Sequence, residues 1–368
     1  MNLMEILLFI QLFIHLILLT VTVYNYFTAP RVKQKKPLLN PEPKISILIP
    51  ARNEENNIDN CLNSVFKSDY KNYEVKVLDD FSIDSTKDKI KAFKRIYNNL
   101  ELINGKDLPD GWTGKNWACN QLALKAGGEY LLFIDADVTI SPDTIQSVLF
   151  KFQNKEVKML SVFPSQKIRS TGEWLIVPLL DWLMLTFLPL FKVYKSSNPS
   201  FVAANGQFIL FEKISYFDFG GHEKIKSKIV EDMEFARGFK KMKLKTITLL
   251  GNNFVNCRMY CSFNEALNGF TKNFYPGFNT NATVFSLIMI FFVFLFISPF
   301  VIIFYDFFAA IILVLIYLGR IITSSLSRQN LFNNIVLFLP QMFILIFTGF
   351  KSIYVNKMGR LIWKGRNL

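Results

Sequence analysis

The sequence predicts an α/β domain on a mixed, Rossmann-like sheet, with transmembrane helices at its N- and C-terminal sides. Three observations carry this. Residues 6–26 and 284–323 are almost unbroken apolar runs. Between them, short apolar strands alternate with amphipathic helical segments, the pattern of right-handed strand–helix–strand crossovers. Acidic residues fall directly after two of those strands, at Asp79-Asp80 and at Asp135 and Asp137.

The apolar runs fit the composition. Of 368 residues, 51% are hydrophobic and 38 are Phe, which suits a chain partly in a bilayer. The formal net charge of +13 admits three partners: nucleic acid, anionic lipid or a phosphate-bearing substrate. Much of the basic charge flanks apolar segments, and no basic patch is interleaved with aromatics, which argues against nucleic acid. Four Cys without a C-x-x-C pair, and only two His, argue against a zinc site. The Cys read as packing thiols in a reducing compartment.

The first run is long enough to cross a membrane, since helix rises about 1.5 Å per residue and the bilayer core is roughly 30 Å. No basic n-region or small-residue cleavage site marks it as a signal peptide. His15 within it reads as a satisfied or interface-facing side chain. Arg31, Lys33, Lys35 and Lys36 follow, which places the next domain on the cytoplasmic side. Residues 28–43 read as a basic, Pro-rich linker. The run at 284–323 is too long for one span and is expected to turn near Tyr305 and Asp306. Residues 335–350 are interrupted by Pro340 and Gln341. If they span, the basic tail at 356–368 falls on the outer side, against the charge bias; a re-entrant or interfacial segment removes that conflict. The expected organisation is therefore a span at 1–27, a cytoplasmic domain at 44–273, two or three membrane segments at 284–355, and a multi-pass location in the cell membrane. Residues 174–194 are apolar but hold Pro178, Asp181 and Pro189, and read as either an interfacial helix or a buried core helix.

Within the domain, strands are expected at 44–50, 73–79, 100–103 and 130–135. Helices are expected at 53–66, 85–97 and 142–152.

Five clusters can carry chemistry. Asp79 and Asp80 end an early strand, where open α/β sheets bind ligands, and a carboxylate there can accept from a base imide or a ribose hydroxyl. The alternative is a helix cap at Ser82 or Asp84. Asp135 and Asp137 can share one hard cation, Mg2+ or Mn2+, with substrate phosphates. Lys115, in an ordered loop with Gly111, Trp112, Gly114 and Trp117, can reach a phosphate; P-loop spacing is absent. Asp232, with Glu231 second, suits a general base, or the two acids simply favour a helix N-terminus. Arg258 can pair with a diphosphate and Tyr260 can stack on an acceptor, or both can anchor the chain beside the membrane.

In this order the clusters resemble glycosyltransferase family 2. The matching residues are 47–54, including Pro50, Ala51 and Glu54, then Asp79-Asp80, Lys115, Asp135, Asp137 and Glu231-Asp232. The resemblance implies a GT-A fold, an inverting mechanism, a nucleotide-sugar donor and a divalent metal, Mg2+ or Mn2+. It implies that Pro50, Ala51, Glu54, Asp79 and Asp80 contact the nucleoside, that Asp135 and Asp137 serve metal and diphosphate, and that Asp232 is the base. Residues 112–115, 258–260, 269–272 and 363–366 are similar to carotenoid and hopanoid-associated members, and ceramide glucosyltransferases share the layout. This implies transfer of a hexose, from a UDP-glucose-like donor, to a membrane lipid or carotenoid. Two alternatives remain: a processive polysaccharide synthase, whose Q-x-x-R-W motif is absent here, and a catalytically silent membrane subunit.

Overall fold

The computed structural model describes residues 3–34 and 42–359, with the backbone of 362–363 and 366–367. Residues 35–41 of the expected linker, including Lys35, Lys36 and Pro37, and the side chains of the basic tail beyond residue 359 lie outside the described residues. The chain divides into two compact units. One holds residues 30–165, 193–258 and 362–368; the other holds 1–29, 166–192 and 259–361. These units are drawn differently from the expected domain at 44–273.

In the first unit, β1 (Ile45–Ala51), β2 (Tyr73–Asp79), β3 (Leu100–Asn104), β4 (Tyr130–Ile134) and β5 (Val138–Ile140) precede β6 (Met159–Phe163). The two-residue β7 (Ser165–Gln166) marks where the chain leaves this unit. β8 (Phe208–Glu212), β9 (Thr246–Leu250) and β10 (Val255–Cys257) follow its return. The main sheet runs β3-β2-β1-β4-β8-β6-β9. β1 is parallel to β2 and β4, β2 to β3, and β6 to β9; β8 alone runs antiparallel, between β4 and β6. The sheet is therefore mixed, as expected. β1 is apolar because both faces are covered, and only Pro50 is partly open. Leu48, Leu131, Phe133 and Phe211 pack against Leu122, Phe235 and Phe239 from flanking helices. The parallel strands β1, β2 and β4 end together, so Ala51, Asp79 and Asp135 emerge at one edge.

Two expectations need correction. The helix expected at 53–66 starts only at Ile58. Asn53 is left-handed (φ +53°), and the chain turns through residues 54–57 before winding. The segment at 174–194 is not one helix. It breaks into Thr171–Trp174, Pro178–Phe187 and Phe191–Lys195, because Pro178 opens a helix at its first turn and Pro189 cannot continue one. Residues 30–32 begin the expected linker as an edge pairing on β9: Val32 N–H donates to the Leu250 carbonyl and Leu250 N–H to that of Pro30, each at 2.9 Å.

The second unit is helical. Leu3–Thr28, Ala282–Ile302, Ala309–Ser327 and Phe338–Lys357 are each long and apolar enough to cross a membrane. The expected turn near Tyr305 and Asp306 falls between the second and third. Several polar groups inside this unit pair with one another, although Gln11 Oε1 and His15 Nε2 are buried without a partner among the described residues. Gln11 Nε2 donates to the Phe294 carbonyl at 2.7 Å and Ser298 Oγ at 2.8 Å, at the π-helical turn Val293–Ile297 ahead of Pro299. His15 is buried, with Nδ1 2.8 Å from the Gln11 carbonyl. Arg320, 1% exposed, donates through Nη2 to Asn334 Oδ1 at 2.9 Å and to Gln341 Oε1. Gln341 Nε2 reaches the Trp174 carbonyl at 2.6 Å, and Asn334 leads through Gln329 to Asp181 Oδ2. Gln341, an interruption in the apolar run by sequence, is a node of this network.

Breaking a buried ionic network by removing one partner leaves the others unpaired. Arg320→Leu is expected to lower stability by about 3 kcal/mol, read as a fall in thermal midpoint of the protein in detergent. An unchanged midpoint would show that the network adds nothing.

Candidate active site

The site is built at the carboxyl edge of β1, β2 and β4. Asp79 and Asp80 are 4% and 5% exposed. Asp80 N–H donates to the Ala51 carbonyl at 2.8 Å, and Arg52 Nη1 to the Asp80 carbonyl at 2.6 Å. Asp79 Oδ1 accepts from Ser82 N–H at 3.4 Å, and Lys87 Nζ stands 3.9 Å from its Oδ2. Asp84 Oδ1 accepts from Thr86 N–H at 3.0 Å, while the capping position itself, Ser85, makes no side-chain cap. Asp84 also accepts from Glu55 N–H at 3.1 Å, so it ties the loop after β1 to the helix Thr86–Ile96. These bonds hold Asp84 below the usual carboxylate range, although burial works the other way. The capping reading thus falls to Asp84.

Lys115 occupies the centre. It sits in the first turn of the helix Gly114–Lys125, whose N-cap Thr113 accepts from Asn116 N–H. Its Nζ lies 2.9 Å from Asp135 Oδ2, 3.1 Å from Glu231 Oε1 and 3.5 Å from the Gly206 carbonyl. Burial alone would lower its pKa, but Asp135 and Glu231 hold it well above the usual lysine range. Conversely, burial would raise Glu231, and Lys115 holds it below its ordinary value.

The remaining carboxylates are less well compensated. Burial raises Asp135 despite Lys115. Asp137 is pushed up to about 7 by burial first, then by Asp135 and Glu54. Gln207 Nε2 approaches Asp137 Oδ2 at 3.4 Å, and Asp137 Oδ1 is buried without a hydrogen-bond partner among the described residues. Cys61 and Cys257 lie beside these acids, and burial keeps both thiols protonated. Asp232 opens the helix Glu231–Lys241 with Glu231, as the helix-terminus reading expects. Its Oδ2 accepts from Gly206 N–H at 2.8 Å and its Oδ1 from Met233 N–H at 2.7 Å. Burial, then Glu231, push it up to about 7.

The orphaned oxygen of Asp137, next to Asp135, fits a hard cation. Among the described residues no three His, Cys, Asp or Glu side chains form a ready cage. Mg2+ and Mn2+ do not require one, since they combine one or two carboxylates with waters and substrate phosphates.

Sequence reasoning missed Gly206, Gln207 and Asn116. A Cβ on Gly206 would stand 2.7 Å from Glu231 Oε1 and 3.1 Å from Lys115 Nζ, so only glycine lets these charges close around it. The adjacent Asn205-Gly206 pair is a turn signal ahead of an apolar strand, the clue available in the sequence. Asn116 Nδ2 lies within 3.1 Å of the carbonyls of Ile225, Lys226 and Lys228 and fixes that lysine-bearing loop. Of the expected residues, Glu54, Lys115, Asp135, Asp137, Glu231 and Asp232 form one electrostatic cluster, with Pro50, Ala51, Asp79 and Asp80 on adjacent strand ends. Arg258 follows directly on β10 in the same unit. Tyr260 belongs to the helical unit, where its ring is 5% exposed and packs on Gly269 and Phe270.

The sheet order, with acids at the ends of its parallel strands, is that of a GT-A fold. Residues 46–214 match the model of Glycosyl transferase family 2. It is similar to the 4,4'-diaponeurosporenoate glycosyltransferases of Staphylococcus haemolyticus and Staphylococcus aureus, 26% and 27% identical over 237 residues. That match covers 63% of this chain and 61% of the relatives' length. Its fold is similar to that of a mannosyltransferase from Pyrobaculum calidifontis, solved with GDP-Man and Mn2+ (TM-score 0.50, 17% identity, 75% of this chain and 76% of that one).

Two outcomes follow from the geometry. Gly206→Ala is expected to cost about 1–3 kcal/mol by overpacking, measured by denaturant or thermal unfolding, with Glu231 displaced from Lys115. The second concerns pH. Because Asp232 is raised in the folded state, its stabilising contribution is complete below the unfolded pKa near 4 and is lost as pH rises through about 7. The thermal midpoint of the wild type should therefore fall more between about pH 5 and about pH 8 than that of Asp232→Asn. Equal falls in both would contradict the assignment.

Proposed function

We propose that this protein is an inverting hexosyltransferase that moves a sugar from a nucleotide-sugar donor, UDP-glucose-like, to a membrane lipid or carotenoid. The observation that carries the reading is the pairing of an under-compensated acid pair, Asp135 and Asp137, with a second acid, Asp232, poised near neutrality. Asp79 and Asp80 would hold the nucleoside through its imide or ribose hydroxyls, beside Pro50, Ala51 and Glu54. Asp135 and Asp137 would hold Mg2+ or Mn2+; when bound, the cation neutralises the departing diphosphate. Arg258 would add a bidentate contact to that diphosphate.

Asp232 would take the acceptor hydroxyl's proton as the anomeric carbon is attacked from the face opposite the leaving group. A base is most effective when its pKa lies near the working pH, and about 7 meets that condition. Two backbone N–H groups fix the carboxylate without engaging all its lone pairs. Lys115 would keep Asp135 and Glu231 in place, and an incoming phosphate would compete for the same ammonium. Four apolar helices, and relatives named for a carotenoid substrate, support an acceptor drawn from the membrane. Arg31 and Lys33 after the first helix support a catalytic domain on the cytoplasmic side of a multi-pass membrane protein.

The test is incubation of membranes bearing the protein with a panel of radiolabelled nucleotide sugars, followed by lipid extraction and mass identification. Label is expected in the organic phase, dependent on Mn2+ or Mg2+ and abolished by a chelator. Asp232→Asn and Asp137→Asn should each reduce the initial rate by at least about 100-fold. Full activity in either variant would sink this mechanism, and long soluble polymers would turn the reading toward a polysaccharide synthase.

A further inference from the structure

The loop after β2 holds a residue that neither the fold nor the proposed chemistry requires. Phe81, next to Asp80, adopts φ +56°. A bulky side chain is rarely left-handed, and glycine would take that backbone without strain. The loop is nonetheless held firmly from both sides. Asn53 N–H donates to Ser82 Oγ at 3.1 Å, and Ile83 N–H donates to Asn53 Oδ1 at 3.0 Å. Asn53 is itself left-handed (φ +53°), so two left-handed residues face each other across the strand ends. On the other side, a Cβ at Gly105 would lie 3.3 Å from Asp80 Cα, so the backbone of β3's end closes on the loop.

None of these bonds uses the Phe81 ring. The residue is 46% exposed, and Ile83 two positions on is 92% exposed. The ring therefore neither fills the core nor sets the turn. Strain that surrounding bonds over-determine, at a ligand-binding edge, is a sign of a positioned group. The neighbours are the buried carboxylates Asp79 and Asp80, whose chemistry suits hydrogen bonds to a base or ribose. An aromatic face beside such acceptors matches the other half of a nucleobase, its π-surface.

We propose that Phe81 is a base-stacking residue, with its ring as the platform for the nucleobase of the donor and Ile83 as the apolar rim. The proposal rests on the donor reading above. Stacking tolerates any base, so Phe81 supplies affinity and Asp79-Asp80 supply selectivity.

The test measures binding of UDP and GDP to the purified full-length protein in detergent with Mn2+, by calorimetry, alongside the thermal midpoint without nucleotide. Phe81→Gly is expected to keep or raise the midpoint, because strain is relieved. The same change should weaken binding of the nucleotide that the wild type takes by about 5- to 100-fold. Phe81→Trp should retain affinity, and Phe81→Leu should lose it as glycine does, which separates stacking from apolar bulk. If Phe81→Gly does not fold, the Trp and Leu variants decide alone. Wild-type affinity in the Gly or Leu variant would overturn the proposal while leaving the donor reading intact. A wild type that binds neither UDP nor GDP would overturn the donor reading, and this proposal with it.

Discussion

Five carboxylates, Glu54, Asp135, Asp137, Glu231 and Asp232, share one electrostatic cluster with the Lys115 ammonium, and the α/β unit is organised by that imbalance. Lys115 stabilises Asp135 and Glu231 by direct contact. Asp137 and Asp232 make no direct ion pair with it, and burial first of all pushes each up to about 7. Like charges desolvated together are unfavourable, so the arrangement persists only because β1, β4, the Gly206 loop and two helix starts impose it. The strain is local and the core that resists it is extensive. Under the proposed function, a divalent cation would bring the positive charge that this cluster lacks.

The same constraint explains the positions of residues that do no chemistry. Gly206 is glycine because Glu231 and Lys115 close on it from both sides, and its own N–H and carbonyl serve Asp232 and Lys115. Thr113 and Asn116 set the helix that delivers Lys115. Asn116 then fixes the loop that leads to Glu231. A single helical turn thus aligns the ammonium with both acids it bridges.

Much of this was legible in the sequence because buried parallel strands announce themselves. The runs ending at Pro50 and Asp135 are apolar at nearly every position, and the run ending at Asp79 alternates, so the acids after them were expected at the sheet's edge. Helix starts were harder. The segment from Asn53 has helical composition, yet its first turn is spent on left-handed backbone and side-chain clasps to the next loop. Gln341 and Pro340 looked like breaks in a span, whereas Gln341 answers the buried Arg320, a partner 21 positions away that no local pattern reveals. Asn205-Gly206 could be read as a turn, but the reason for the glycine could not, because it depends on side chains that arrive from two distant helices.

The central claim is that this acid cluster is completed by a cation and a diphosphate together. Calorimetric titration of the purified protein with a nucleoside diphosphate, with Mn2+ present and then with Mn2+ removed by chelator, tests it most directly. The account predicts saturable binding with Mn2+ and a large loss of affinity without it. Equal affinity in both conditions would contradict it.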